Sequence, residues 1–469
     1  MPVSYDERKM SLTMQRTDQS TFDRLHTSVQ QSDVSGKTLL IPDMAPISSR
    51  LLAASFRAFG VNAIVMETYK GLGLGRKHTS GKECLPCQIT LGDILLHLQS
   101  EKERLGSGFA PEQYAYFMPE ADGPCRFGMY NKLQRLVLDQ FPEFQPVPIV
   151  YLSTMNNYET AGILPPDKAR LFRRLSYVTL VAGDVLDRIA WRVRPYELRP
   201  GLTDTFMHEA VAKVSDVIET VGADLRFDAI CRALGQIAAT AATFLDPHKP
   251  RRPIVGIIGE IYLRSHPASN QNIIHQLERY GAEVVDASLG DWINYITSES
   301  LKKIDRQWLE TRRRKDWAGC RTLVRKWIGL QIEAYYQKWR QWQVYRSVLR
   351  HLDIQPDHNI SHIKKHLDRN RLFHEAIGTE AVLSIGGALE YAHHGFDGVV
   401  NVFPFTCMPS TMASAVLKPL LNDMKIPYLD APYDGAIQPN RDVALRTFMY
   451  QAQQHRDARI TGRNGGTPP

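Results

Sequence analysis

Three of the six cysteines in this chain lie in short segments typical of the junction between a strand and a helix. Cys84 lies in GKECLPC, Cys125 in ADGPCRFGMYN and Cys407 in NVFPFTCMPS. In an open parallel α/β sheet, this junction forms the edge at which ligands bind. Thiolate is a soft ligand, and wide spacing along the sequence does not prevent thiolates from meeting in space. Three thiolates that converge at such an edge are therefore suited to hold an iron–sulfur cluster.

Cys87 forms a Cys-x-x-Cys pair with Cys84 at a predicted helix start, where free N–H groups and the helix dipole stabilise a thiolate. A metal or cluster site, a thioredoxin-like dithiol and inert buried cysteines all remain open on spacing alone. A zinc knuckle needs a second close pair, and Cys125 stands alone. Cys231 and Cys320 lie within helical patterns and are predicted to be inert.

A further segment, GEIYLRSHPASNQN, follows a predicted strand and opens a helix. Its polar side chains either line the crevice at the sheet edge or form a well-capped loop, with Ser269 or Asn270 as the N-cap. Arg126, if it points inward, adds positive charge beside Cys125. The candidate crevice residues are Arg126, Glu260, Arg264 and Asn270.

The glycines between positions 71 and 81 do not form a phosphate-binding loop. A Walker loop needs four residues between its glycines and a Ser or Thr after the lysine, whereas Gly75 and Gly81 are separated by five and Glu83 follows Lys82. The sequence contains no other ATPase signature. His393 and His394, just before Gly395, are predicted to mark a helix C-terminus.

Strands and helices alternate in two parts of the chain, which predicts mostly parallel sheets. The first part has predicted strands at 37–42, 62–66, 114–118 and 147–152, with helices at 48–59, 88–98 and 129–139. The second has predicted strands at 254–258, 283–286, 398–403 and 426–429, with helices at 270–280, 381–393 and 410–421. The predicted fold class is α/β, with two Rossmann-like parallel-sheet domains, a helical connection and a helical insert.

The predicted domain boundaries follow from these runs. Residues 1–35 lack apolar periodicity and are predicted to be a disordered arm. The remaining divisions are a first α/β, cluster-binding domain at 36–155, a helical connector at 156–250, a second α/β domain at 251–300 and 374–455, a basic Trp-rich insert at 301–373 and a tail at 456–469.

The composition of the chain indicates the cellular compartment in which we expect it. The chain is 43% hydrophobic and 23% charged, and its apolar runs are far shorter than the roughly 20 residues that a membrane span needs. The polar N-terminal stretch has no apolar core of a secretory signal. Six cysteines in 469 residues do not indicate a disulfide framework. We therefore expect a cytoplasmic protein without membrane association.

The net charge of +7 is concentrated in one segment. Between Lys302 and Arg350 the chain carries 14 Lys or Arg against four Asp or Glu, together with five of the seven tryptophans. Such a segment can bind nucleic acid. Aromatic residues at helical spacing are more often packing residues, and docking of an acidic protein partner is at least as plausible. Nucleic-acid binding is the disfavoured alternative.

Taken together, the cysteine segments resemble the 2-hydroxyacyl-CoA dehydratase superfamily, and more closely the dehydratase-like modules of acyl-CoA dehydratase activase-related proteins. The matching stretches cover most of residues 37–455 and exclude the Trp-rich insert and both ends. They are GRKHTSGKECLPCQITLGD, FMPEADGPCRFGMYNKLQRLVLD, GIIGEIYLRSHPASNQN and GFDGVVNVFPFTCMPSTMAS, continuing to IPYLDAPYDG.

The resemblance implies two Rossmann-like domains that hold a [4Fe–4S] cluster between them, with Cys84, Cys125 and Cys407 as ligands. Cys87 departs from the family pattern and is either a fourth ligand or a bystander. The resemblance also implies a separate ATP-hydrolysing activase that delivers low-potential electrons, an acyl-CoA-like substrate and a homologous subunit. The alternative is a non-enzymatic electron carrier, or an activase-associated partner, without a substrate of its own.

Overall fold

The structure, a computed structural model, describes residues 34–121, 123–152, 163–369, 372–374 and 377–463. Most of the predicted arm, residues 1–33, and residues 464–469 of the predicted tail lie outside the described residues. Val34, which we assigned to the arm, is buried in the core of the first sheet.

The first sheet contains four parallel strands in the order β2-β1-β3-β4. β1 pairs with β2 from Thr38↔Asn62 and with β3 from Thr38↔Tyr114. Its elements are β1 (Thr38–Ile41), α1 (Pro46–Ala58), β2 (Asn62–Val65), α2 (Leu72–Lys77), α3 (Leu85–Leu105), β3 (Tyr114–Phe117), α4 (Tyr130–Leu138) and β4 (Ile149–Val150).

The second sheet repeats this order as β6-β5-β7-β8, again with parallel pairs throughout. Its elements are β5 (Ile254–Gly259), α8 (Ile261–Ser265), α9 (Ile273–Arg279), β6 (Glu283–Asp286), α13 (Glu380–His393), β7 (Gly398–Pro404), α14 (Met408–Asp423), β8 (Tyr428–Tyr433) and α15 (Arg441–Arg463). The predicted fold class, α/β with two parallel sheets, is confirmed. Helix α13 ends at His393 before Gly395, as predicted.

The central strands form because helices cover both of their faces. All four residues of β3 and all seven of β7 are buried, which is the pattern of near-continuous apolar strands in parallel sheets. The two faces of the first sheet belong to separate apolar clusters, and the second sheet is arranged in the same way.

Three helices connect the two sheets, namely α5 (Pro166–Val193), α6 (Leu202–Val221) and α7 (Phe227–Ala242). The long helix α5 carries buried charged groups that fasten the second half of the chain. Asp184 accepts hydrogen bonds from the N–H groups of Leu289 (2.9 Å) and Gly290 (2.9 Å). Arg188 forms an ion pair with Asp357 at 2.8 Å, with both side chains almost completely buried. Connector and insert are therefore joined by specific polar contacts.

The insert consists of α10 (Leu289–Arg313), α11 (Trp317–Leu349) and α12 (Ile360–Arg369), of which the first two form a hairpin. We placed its beginning at residue 301, but α10 starts directly after β6. The Ser288 side chain caps this helix by accepting a hydrogen bond from the Asp291 N–H at 3.0 Å. In the described ranges, no helix combines the length and apolar content needed to cross a bilayer.

Three of the basic residues in the insert stack on aromatic side chains. Arg312 lies over Trp308, Arg346 over Trp342, and Arg340 over Trp339 and Phe227. Spacing of four residues along a helix places two side chains on one face, so the first two pairs are local. Part of the Trp-rich composition is therefore explained by contacts within the fold.

Near the C-terminal end, the structure differs from the prediction in two segments. The prediction of a tail was wrong between residues 456 and 463, because α15 continues to Arg463. The buried carboxylate of Asp397 holds the last turns of this helix, since it pairs with Arg459 at 3.0 Å and with His455 at 3.3 Å. Strand β8 runs to Tyr433 rather than to 429, since β7 provides parallel partners as far as Pro404. Pro432 is tolerated because β8 is an edge strand.

The glycines that resemble a phosphate loop instead bring two helices into backbone contact. An ideal Cβ built on Gly92 of α3 would lie 1.9 Å from the Gly71 carbonyl oxygen, and one on Gly75 would lie 1.8 Å from the Gln88 carbonyl oxygen. Gly73, in the same short helix α2, has open space around it. Helix α2 was missed in the sequence because glycine has low helix propensity.

We predict that Gly92→Ala lowers the free energy of unfolding by about 1–3 kcal/mol, because the added methyl group forces two backbones apart. Gly73→Ala is the matched control, and it should be neutral or slightly stabilising, since it adds helix propensity without a clash. Urea unfolding followed by far-UV circular dichroism measures both. Equal destabilisation by the two substitutions would contradict this assignment of the helix contact.

Candidate functional site

Each of the three cysteines is the last extended residue before a helical segment. Cys84 precedes α3, Cys407 precedes α14, and Cys125 precedes a 3-10 turn at Arg126–Met129 that leads into α4. In Cys84-Leu-Pro and Cys407-Met-Pro, the proline occupies the first helical turn, where its missing N–H has no consequence. The local sequence thus fixes where these helices start.

One cavity of about 950 Å³ has all three cysteines in its wall. They reach it from different elements: Cys84 from the segment after β2, Cys125 from the segment after β3, and Cys407 from the segment after β7. Cys84 and Cys407 are buried and Cys125 is partly exposed. The structure therefore brings together the three thiols that the sequence singled out.

Cys87 does not border this cavity. It lies in the first turn of α3, is 1% exposed, and packs within the apolar cluster on one face of the first sheet. Burial raises the pKa of its thiol above the ordinary value, and the neighbouring Cys84 adds to this. Cys231 is half-buried in α7 and Cys320 is buried in α11, and neither borders the cavity.

Arg126 connects the three cysteine segments. Its Nη1 donates to the Lys82 carbonyl oxygen at 2.8 Å and to Thr406 Oγ1 at 3.3 Å, and lies 4.0 Å from Cys84 Sγ. Thr406 has a φ of +66°, a left-handed conformation that is strained for a β-branched residue. Because Arg126 follows Cys125 directly, one guanidinium group binds the residues beside the other two cysteines.

A close approach of two loops brings a second group of residues to the cavity. An ideal Cβ on Gly123, whose φ is +90°, would lie 3.1 Å from the Gly378 carbonyl oxygen. Gly378 is followed by Thr379, whose side chain caps α13 by accepting from the Ala381 N–H at 3.2 Å. The next residue, Glu380, lines the cavity, and its Oε2 atom is shielded from solvent and has no hydrogen-bond partner among the described residues.

Glu260 also lines the cavity, at the carboxyl end of β5. Its carboxylate caps α8, accepting from the N–H groups of Tyr262 (3.1 Å) and Leu263 (2.8 Å). Burial raises the pKa of Glu260, although these two hydrogen bonds oppose the effect. Burial, together with the charge of Glu260, raises the pKa of Glu380 to about 8. The two carboxyl groups therefore resist ionisation at the same time.

The thiols are held in their protonated form. Burial raises the pKa of Cys84, and the Tyr130 hydroxyl, which hydrogen-bonds the sulfur, works in the opposite direction. Burial, and then the charge of Glu380, raises the pKa of Cys407 to about 12 and shifts the pKa of Cys125 upward as well. Cys125 and Cys407 also respond to Glu260, so these groups lie within electrostatic reach of one another.

Arg264 and Asn270 are not brought to the cysteines. They line a separate cavity of about 140 Å³, where Arg264 forms a buried ion pair with Asp286 at 2.8 Å. Asn270 donates to the Leu263 carbonyl oxygen at 2.7 Å and accepts from the Ile273 N–H at 3.3 Å. These contacts within the loop favour the loop alternative over the crevice, but the predicted N-cap was wrong, because Asn272 precedes α9 and its side chain makes no cap hydrogen bond. Ser269 bonds to the His266 carbonyl oxygen within the same loop.

Sequence reasoning missed Glu380 and Tyr130. A usable signal existed for Glu380, because Gly378-Thr379-Glu380 opens a helix that precedes a strand of a parallel sheet. The N-termini of such crossover helices lie at the same edge as the strand carboxyl ends. No comparable signal marks Tyr130, whose hydroxyl reaches Cys84 through tertiary packing alone.

Thiolates are the side-chain ligands that hold iron–sulfur clusters in proteins. Three free thiols around a cavity, with a carboxylate oxygen that lacks a partner, fit such a group. Because the thiols must be deprotonated, binding would release protons.

Neither a comparison with protein-family models nor one with curated proteins finds a significant match to this chain.

We predict that Glu380→Gln makes Cys125 and Cys407 of the metal-free protein easier to alkylate at pH 9.5. Above its pKa of about 8, Glu380 is negatively charged and opposes thiolate formation, so its neutralisation lowers both thiol pKa values. Iodoacetamide labelling with peptide mass spectrometry measures the rates. Cys84 is the internal control, because Glu260 rather than Glu380 is the carboxylate that raises its pKa. A uniform rate increase at all three cysteines would indicate general loosening instead.

Proposed function

We propose that this chain is an iron–sulfur protein related to the 2-hydroxyacyl-CoA dehydratases, with Cys84, Cys125 and Cys407 as the ligands of a [4Fe–4S] cluster. In this proposal it accepts low-potential electrons from a separate ATP-hydrolysing activase and acts on an acyl-CoA-like substrate. The observation that carries the proposal is that three cysteines, at three separate helix starts on two sheets, border one cavity. When bound, the cluster would supply a one-electron centre at that position.

The surroundings of the cysteines support an electron-accepting role. Arg126 places a positive charge 4.0 Å from Cys84 Sγ, and such a charge favours the more reduced, more negative state of a cluster. Three apolar side chains flank the cysteine segments and are exposed: Met129 (60%), Phe405 (63%) and Met408 (40%). An electron donor must approach closely, and this apolar rim is suited to its docking.

The size of the cavity favours a substrate over a pure carrier. Small-molecule sites typically measure about 300–1,000 Å³, and the volume of about 950 Å³ falls within that range. A cluster that only transfers electrons needs no adjoining space of this size. Cys87 lies outside the cavity, so the proposed ligand set leaves one iron position without a cysteine. Substrate-dependent change in the electron paramagnetic resonance spectrum of the reduced protein distinguishes the two roles.

We predict about four irons and about four labile sulfides per chain in anaerobically isolated protein. Cys84→Ser, Cys125→Ser and Cys407→Ser should each lose most of the iron. The matched controls Cys87→Ser, Cys231→Ser and Cys320→Ser should retain it, because those thiols do not border the cavity. Iron and acid-labile sulfide analysis measures both. One zinc per chain without labile sulfide would refute the proposal, and loss of iron in Cys87→Ser would make that residue a ligand.

We predict that the purified chain does not hydrolyse ATP on its own. The glycines at 71–75 pack two helices together at backbone distance and leave no cradle for phosphate. A coupled phosphate-release assay, run with and without an added activase, measures this. If ATP hydrolysis stays with the isolated chain through successive columns, this result would contradict the requirement for a separate energy source.

A further inference from the structure

The cavity has two chemically different ends. The cysteines, Glu260 and Glu380 border one part of its wall, and all of them come from the edges of the two sheets. The connector helix α5 and the insert helices α10 and α11 form another part. The basic residues of that second part are Arg170, Arg173, Lys303 and Lys326.

These four cations face the cavity because of helical periodicity. On α11 the lining residues are Lys326, Gly329, Leu330, Glu333 and Gln337, which lie on one face of the helix. Arg170 and Arg173 are three residues apart on α5, so they also share a face. Arg321 and Arg325 of α11 do not line the cavity. Three of the four cations, Arg170, Lys303 and Lys326, line the cavity and are also exposed to solvent, so they lie at its opening.

The four cations are not used by the fold. None of them forms a hydrogen bond or an ion pair with any residue that the structure describes. Neighbouring basic residues are engaged: Arg174 stacks on Tyr336, and Arg188 pairs with Asp357. Glu333 is the one carboxylate that α11 contributes to the lining, so positive charge prevails at this end.

Much of the remaining lining is apolar. It includes side chains from α1, α5 and α10, namely Leu52, Leu180, Trp292, Ile293 and Ile296. A ligand that fills the cavity would therefore combine a polyanionic group, an apolar part and a group that reaches the cysteines.

We propose that the connector and the insert form the binding site for the phosphorylated end of the ligand, with Arg170, Arg173, Lys303 and Lys326 as its phosphate contacts. Four cations that line one cavity match a group with several negative charges, and guanidinium and ammonium groups are the side chains that bind phosphate oxygens. The identification of the opposite, reacting end rests on the proposed function, whereas phosphate binding does not. The site gives the insert, which lies outside the family resemblance, a role in ligand binding.

The test uses the full chain and measures binding of coenzyme A, with inorganic pyrophosphate as a second probe, by isothermal titration calorimetry. Lys303→Gln with Lys326→Gln, and separately Arg170→Gln with Arg173→Gln, should weaken coenzyme A binding by about tenfold or more, since charged hydrogen bonds are lost. Arg321→Gln with Arg325→Gln is the matched control with the same change of charge, and it should bind as the wild type does. Urea unfolding midpoints establish that each variant folds.

Three outcomes would overturn the inference: no binding of either probe to the wild type, unchanged binding in both lining variants, or equal weakening in the control. A short single-stranded RNA that binds more tightly than coenzyme A, and is lost in the control variant, would assign the insert to nucleic acid instead. Cys84→Ser, which is predicted to lose the iron, should still bind coenzyme A, and this result separates the inference from the proposed function. If the wild-type chain lacks iron but binds coenzyme A, the cluster proposal fails and the phosphate site stands; iron without coenzyme A binding gives the reverse.

Discussion

Parallel pairing is the constraint on which the site depends. In a parallel sheet all strands end at one edge, and every crossover helix begins there. This chain builds two such sheets with the same strand order, and residues from both edges border one cavity. A cysteine at a helix start is therefore directed to the shared edge wherever it occurs in the sequence. This is how residues separated by more than 300 positions come to line one space.

Polar contacts between segments then hold that edge together. Arg126 links the segments of all three cysteines, and Asp184 of the connector caps the first helix of the insert. The second contact matters for the cavity because α10 supplies part of its wall. A buried carboxylate that accepts two backbone N–H groups is costly to leave unpaired. Displacement of α10 from α5 is therefore opposed by more than apolar packing.

The sequence was sufficient for the fold class and for the three cysteines, because both follow from local signals. Strand and helix periods are visible over short windows, and proline after Cys84 and Cys407 marks helix starts. The features that the sequence did not predict depend on tertiary contacts. Helix α2 forms from glycine-rich sequence because Gly75 packs on α3, and α15 persists to Arg463 because buried Asp397 holds its last turns. Glu380 acquires its raised pKa from burial and from the charge of Glu260, which is 120 positions away in the chain.

The two parts of the cavity wall, the sheet edges and the surrounding helices, carry different groups. The cysteines and the carboxylate pair belong to the sheet edges, where a change of backbone would disturb both α/β units. The unengaged cations and much of the apolar lining belong instead to α5, α10 and α11, which are helices outside both sheets. Substitutions in the insert can therefore change what enters the cavity without moving the thiols. In the proposed function, the reacting group and the ligand specificity are carried by different parts of the fold, so the same cysteine framework is compatible with different ligands.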